Sequence, residues 1–141
     1  MIGIIVTGHN HFATGIKSAL ELIAGQHEKF VALDFDDVIH EGYLKNRFIE
    51  TLEGELKDCE QVICYCDLLS GTPFQTALNL ALSDYPQINV VYGTNLPLLI
   101  ESVLARDNES SLEEILEIVD QAKEFSIGVL DKNAQKDDDE F

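Results

Sequence analysis

No apolar run in the sequence approaches the roughly 20 residues that a helix needs to cross a bilayer, so no helical membrane span is expected. The opening MIGIIVTGHN lacks the basic flank and cleavage site of a secretory leader. It reads instead as a buried first strand, and a cytoplasmic location is the expectation. Basic residues are scarce: nine Lys and Arg face 26 Asp and Glu, for a net charge of −17. A field of that sign repels nucleic-acid backbones and anionic headgroups, so neither is expected as a partner, while it favours approach of a basic protein surface. Cysteine is sparse as well, with Cys59, Cys64 and Cys66 forming no CxxC pair and having no spaced metal partners. Cys64 and Cys66 are expected on opposite faces of a strand, unable to bridge, and all three cysteines are read as small buried hydrophobes. Two phosphate motifs are also missing. Without GxxxxGK[ST] a P-loop is excluded, and without GxGxxG after the first strand so is a dinucleotide fingerprint.

What is present suits one compact domain. In 141 residues, 45% are hydrophobic and 25% charged, ordinary values for a single core. The domain is expected over residues 1–130, followed by an acidic, disordered tail, 131–141 (DKNAQKDDDEF). Strand and helix signals alternate. Residues 2–7, 30–35, 61–66 and 88–92 are apolar runs of strand length. Helices are expected after GHNHFATG, ending at Gly25; through Leu44, Phe48 and Leu52; over about 73–82; from GTNLPLL to Arg106; and from the Ser111–Glu114 capping box to about Phe125. Residues 127–130 read as a last short strand. Four β-then-α units indicate an α/β fold, a doubly wound parallel sheet with helices on both faces.

In such sheets ligands bind beyond the carboxyl ends of the strands, where the winding direction switches. For the order 2-1-3-4, strands one and three are neighbours about 4.8 Å apart. His9 and Asp67, which follow them, then converge, and the turn at 93–95, with Asn95, adds a third strand end. A carboxylate beside a histidine takes one ring N–H and leaves the other nitrogen free as a nucleophile. Ser70-Gly71-Thr72-Pro73 supplies a cradle for an anion at a helix start. Thr72 is expected as N-cap, with Gln75 completing a capping box and Pro73 in the first helical position. Singly, each feature reads more simply as a turn residue, a cap or a helix start; their convergence favours chemistry. His9-x-His11 also matches a metal pair, but no third ligand is identifiable, so no metal is expected and His11 is read as lining the site. His27 and His40 are read as surface residues.

The segments IGIIVTGHNHFATG, VICYCDLLSGTPFQTA and VVYGTNLPLLIESVLARD resemble the IIA components of the mannose-family sugar phosphotransferase system, particularly its N-acetylgalactosamine branch. The resemblance implies a flavodoxin-like sheet and a homodimer, with residues 127–130 as an antiparallel edge strand open to exchange between subunits. It implies that His9 accepts phosphoryl from the phosphocarrier HPr and passes it to a separate IIB chain, and through IIB serves a membrane IIC/IID complex. Asp67 would orient His9, and Ser70, Gly71 and Thr72 would hold phosphate. Asn10, His11, Leu68, Phe35 and Asn95 would line the site, with no cofactor. Asn10 and His11 stand where smaller or aromatic residues are common, and Leu68 where some members carry Thr. Three rivals remain: a kinase-coupled or regulatory phosphohistidine module of the same fold, a metal-dependent hydrolase using His9 and His11, and a module that only binds.

Overall fold

β-Branched and aromatic runs build the sheet of the computed structural model. Strands β1 (Gly3–His9), β2 (Phe30–Phe35), β3 (Val62–Cys66) and β4 (Ile88–Val91) are all parallel, in the order β2-β1-β3-β4. The helices are α1 (Phe12–Ala24), α2 (Glu41–Glu53), α3 (Thr72–Ala81), α4 (Leu96–Asp107) and α5 (Leu112–Phe125). The structure describes residues 1–36, 38 and 40–134, Glu41 by its backbone alone. None of the described helices is long and apolar enough to cross a membrane.

The two central strands carry no solvated face, which is why they read as unbroken apolar runs rather than alternating ones. Ile4, Val6, Ile63 and Tyr65 pack on one side with Leu20, Leu99, Val103 and Ile115 from α1, α4 and α5. Ile5, Val62, Cys64 and Cys66 pack on the other with Leu44, Phe48, Ala77 and Leu80 from α2 and α3. The two cysteines therefore share a face, with sulfurs 4.0 Å apart, and the expectation of opposite faces is corrected. Residues two apart on a strand point the same way. All three thiols are free and buried, and burial, then the Cys66 thiol beside it, pushes the Cys64 thiol well up from its ordinary value.

The punctuation follows local chemistry. Gly25 ends α1 at a φ of 81°, and the Ser111–Glu114 capping box opens α5 with both reciprocal bonds in place. No strand forms at residues 127–130 of the single chain, where Ile127 and Val129 are 79% and 99% exposed. Of the expected disordered tail, residues 131–134 are exposed and the remainder lies outside the described residues.

His27 is not a surface residue. Its side chain is 8% exposed, its Nδ1 pairs with Asp107, and its Nε2 lies 3.0 Å from the Ala24 carbonyl. Beside it the wholly buried Arg106 side chain donates to Asp107 Oδ1 at 2.7 Å and to the carbonyls of Ile2, Glu28 and Lys29. This cluster ties the end of α4 to the starts of β1 and β2, at the end of the sheet away from His9. Burial pushes the Asp107 carboxyl up, but hydrogen bonds from His27 and Arg106 and the attraction of both cations outweigh it, leaving the carboxyl below its ordinary value. A depressed folded value stabilises above the unfolded value and ceases to as the pH falls through the folded one.

Arg106→Ala removes the guanidinium from four oxygen partners and is expected to cost about 3–5 kcal/mol in urea unfolding. Asp107→Asn should flatten the acid limb of stability against pH, measured by unfolding across the carboxylate range.

Candidate functional site

Because β1 and β3 are hydrogen-bonded neighbours with Thr7 opposite Cys66, the residues just beyond them emerge together. The Asp67 amide donates to the Thr7 carbonyl at 3.2 Å, which sets the carboxylate beside the end of β1. Asp67 Oδ2 accepts from both the His9 amide and His9 Nδ1, each at 2.9 Å, while Oδ1 accepts from the Leu68 amide at 2.8 Å. An acceptor at Nδ1 puts the ring proton there and leaves the lone pair on Nε2. Exposure divides the roles further: the Asp67 side chain is 11% exposed and that of His9 43%. The anchor is shielded while the ring is accessible. Gly8 is the residue that permits the pairing, because a Cβ there would lie 2.9 Å from the Asp67 carboxyl and 2.6 Å from the Phe12 ring. Phe35, at the end of β2, meets the His9 ring edge-on at 6.2 Å and 85°.

Nε2 faces the turn that opens α3. A Cβ on Gly71 would come within 2.9 Å of Nε2 and 2.8 Å of Cε1, and Gly71 has a φ of 93°. Glycine is required there twice, for space and for backbone conformation. Gly71 is also the N-cap, which corrects the expected capping box: Thr72 is the first helical residue, Pro73 the second, and no side chain caps α3. The positive φ brings the chain into the helix one residue early, so Thr72 cannot take the extended backbone of a capping residue. The result is a helix start with uncapped amides at Thr72 and Phe74 beside the bare nitrogen, Pro73 having none. The Ser70 side chain is exposed next to them and Thr72 is half-buried.

The remaining expected residues divide. Leu68 contributes through its amide, its side chain being exposed. Asn10 has a φ of 55° and closes the turn after β1 by donating its amide to the Phe35 carbonyl. Asn95 is occupied as a cap: its Oδ1 accepts from the Leu98 amide at 3.0 Å and its Nδ2 donates to Ser126. His11 Nδ1 lies 3.3 Å from Asp34 Oδ2, and Asp34 also takes the amide and hydroxyl of Thr14, at 3.0 and 2.7 Å. Asp34 was not singled out by the sequence. It lies within β2, opposite Gly8 in register, where nothing in a local pattern marks it. In the loop after β2, residues 37 and 39 lie outside the described residues. Among the described residues no group of three or more His, Cys, Asp and Glu side chains converges as a metal site would require.

Residues 3–120 match the family EIIA-man, described as PTS system fructose IIA component. The chain belongs to this EIIA family. EIIA components are proteins of the sugar phosphotransferase system (PTS) that carry phosphoryl groups. Over 138 residues, 96% of the chain and 98% of the relative, it is 30% identical to the sorbose-specific EIIA component of Lacticaseibacillus casei. It is 27% identical to the fructose-specific EIIA component of Bacillus subtilis, across 96% of the chain and 91% of that protein. The crystal structure of an EIIA component from Streptococcus agalactiae superposes with a TM-score of 0.79 at 32% identity, covering 92% of the chain and 97% of that protein. The EIIA fold therefore accounts for the parallel sheet and five helices.

In this EIIA chain, Gly71→Ala should strain the turn by about 1–2 kcal/mol and displace the His9 ring. Nitrogen NMR of the imidazole is expected to report loss of the protonated Nδ1 in Asp67→Ala, and a shifted Nε2 with Nδ1 still protonated in Gly71→Ala.

Proposed function

We propose that His9 is the phosphoryl-carrying residue, charged by the phosphohistidine of HPr and discharged to a histidine of a separate IIB chain, in the service of sugar uptake. The observation that supports it is the pinning of Nδ1 to Asp67 with Nε2 set against the Gly71 turn. The Nε2 lone pair attacks phosphorus as the donor's N–P bond breaks, and that bond's electron pair returns to the donor ring nitrogen. The proton on Nδ1 stays in place, so the phosphorylated ring takes on positive charge against Asp67 as the new bond forms. Uncapped amides at Thr72 and Phe74, with the hydroxyls of Ser70 and Thr72, would take the equatorial oxygens in line with a loose transition state. Onward transfer to IIB reverses the same steps.

The proposed relay unit is residues 1–130, cytoplasmic and reaching the membrane IIC/IID complex through IIB. A homodimer is proposed in which residues 127–130 of one copy pair with the β4 edge of the other. In support, that segment exposes Ile127, Val129 and Leu130, and β4 ends the sheet. The β2 edge is obstructed by Lys17, which donates to the Phe30 carbonyl at 3.0 Å. Membership of the N-acetylgalactosamine-like branch is proposed on the resemblance of the three segments, whereas the relatives above are named for sorbose and fructose.

Incubation with phosphoenolpyruvate, enzyme I and HPr should add one acid-labile phosphoryl group to the wild-type chain and none to His9→Ala, read by intact-mass spectrometry. Absence of the adduct from wild type, with active phospho-HPr of a matched organism, would overturn the relay. Asp67→Ala is expected to slow transfer at least tenfold while the chain stays folded; an unchanged rate removes Asp67 from the mechanism.

A further inference from the structure

A phosphoryl group on His9 brings about two negative charges to a chain of net charge −17, at the sheet end where Asp34 and Asp67 already sit. Nothing in the loops after β1 to β4 offers an obvious counter-charge. Residues 10–11, 36–40, 67–71 and 92–95 contain neither Lys nor Arg. Backbone amides alone can hold the oxygens, but a full cation is worth more against a developing dianion. The only other bases in those loops are His11 and His40.

The two are wired oppositely. His40 caps α2, its Nδ1 accepting the Tyr43 amide at 3.2 Å, so that nitrogen must stay without a proton while the cap is made. His11 presents its Nδ1 to Asp34 Oδ2, and both oxygens of Asp34 already accept from Thr14. The carboxylate is thus an acceptor towards the ring, Nδ1 carries the proton, and Nε2 is the nitrogen left over. The His11 side chain is 75% exposed, against 15% for Asp34, the same division into shielded anchor and accessible ring as in Asp67 and His9.

The register makes the two pairs counterparts. Gly8 of β1 has Asp34 beside it on β2, while Asp67 follows directly on β3, whose Cys66 lies opposite Thr7. The two histidines leave β1 through one turn, made by Asn10 and clamped by its amide to the Phe35 carbonyl. Each ring is therefore tethered through Nδ1 to a carboxylate, one within β2 and one directly after β3.

We propose that His11 is a second phosphoryl-contacting residue of the transfer site, the cation that Asp34 holds for the phosphoryl group carried at His9. This inference rests on the relay reading. With a carboxylate on one side and phosphoryl oxygens on the other, both ring nitrogens of His11 donate, and a ring that donates twice is an imidazolium. Asp34, fixed by Thr14 in the first turn of α1, is the positioning residue. No bond to His11 is formed or broken: the residue lowers the cost of gathering charge at His9 and leaves the course of transfer unchanged.

The test compares wild type, His11→Gln and His11→Arg in rapid-quench transfer from phosphorylated HPr, with thermal unfolding alongside. His11→Gln keeps a donor for Asp34 but carries no charge; His11→Arg restores the charge. A charged hydrogen bond at a partly open site predicts a fall of roughly tenfold in the saturating rate for His11→Gln, with half-saturating HPr and melting temperature unchanged, and recovery of most of that loss in His11→Arg. An undiminished rate in His11→Gln overturns the proposal. So does a loss confined to half-saturation, which would make His11 a docking contact, or an Arg variant as slow as the Gln variant, which would make the Asp34 contact purely structural. Wild type without any acid-labile adduct would instead refute the relay itself, and this inference with it.

Discussion

One carboxylate oxygen binds His9 twice, through the main-chain amide and through Nδ1. The double contact fixes where the residue sits and which nitrogen bears its proton, so geometry chooses the nitrogen that is left free. It needs Asp67 to leave β3 level with the end of β1, which adjacency of those strands provides. It needs no side chain at Gly8, and none at Gly71 where the bare nitrogen comes to rest. Two glycines and one carboxylate thus hold a partly exposed histidine ring in one orientation with Nε2 free.

The two ends of the sheet handle charge differently. At the end away from His9, the buried side chains of Arg106 and His27 hold the partly exposed Asp107 carboxylate between them, and the cluster ties α4 to the starts of two strands. At the His9 end the carboxylates are shielded while the rings they hold are open. Buried bases whose nitrogens all face acceptors serve architecture; exposed rings held at one nitrogen leave the other free. Separating the two would let the proposed relay site gain and lose a dianionic group without disturbing the contacts that hold the fold.

Much of the fold was legible from local pattern. The apolar runs of β1 and β3 announced strands buried on both faces, Ser111 and Glu114 announced the start of α5, and the β-then-α alternation required a parallel sheet. Misreadings arose where a residue's surroundings come from distant chain. His27 is polar and near a helix end, so it resembles a surface residue until Asp107, 80 positions away, is folded against it. Thr72 resembles a cap until the φ of Gly71 starts the helix one residue sooner. The site followed the same division: His9, Asp67 and Gly71 could be picked out because each stands just past a strand or at a helix start, whereas Asp34 lies inside β2 and carries no such mark.

The amino-acid sequence by itself determined the element order, the acidic character, the family likeness and a short set of candidate site residues, because periodicity, charge and helix starts are local properties. Only the tertiary structure decided which histidine nitrogen is free, that Asp34 and Thr14 secure His11, and that residues 127–130 pair with nothing in the single chain. Those outcomes depend on which strands lie side by side and in what register. Register is set by packing both faces of the sheet at once, so no stretch of local sequence contains it.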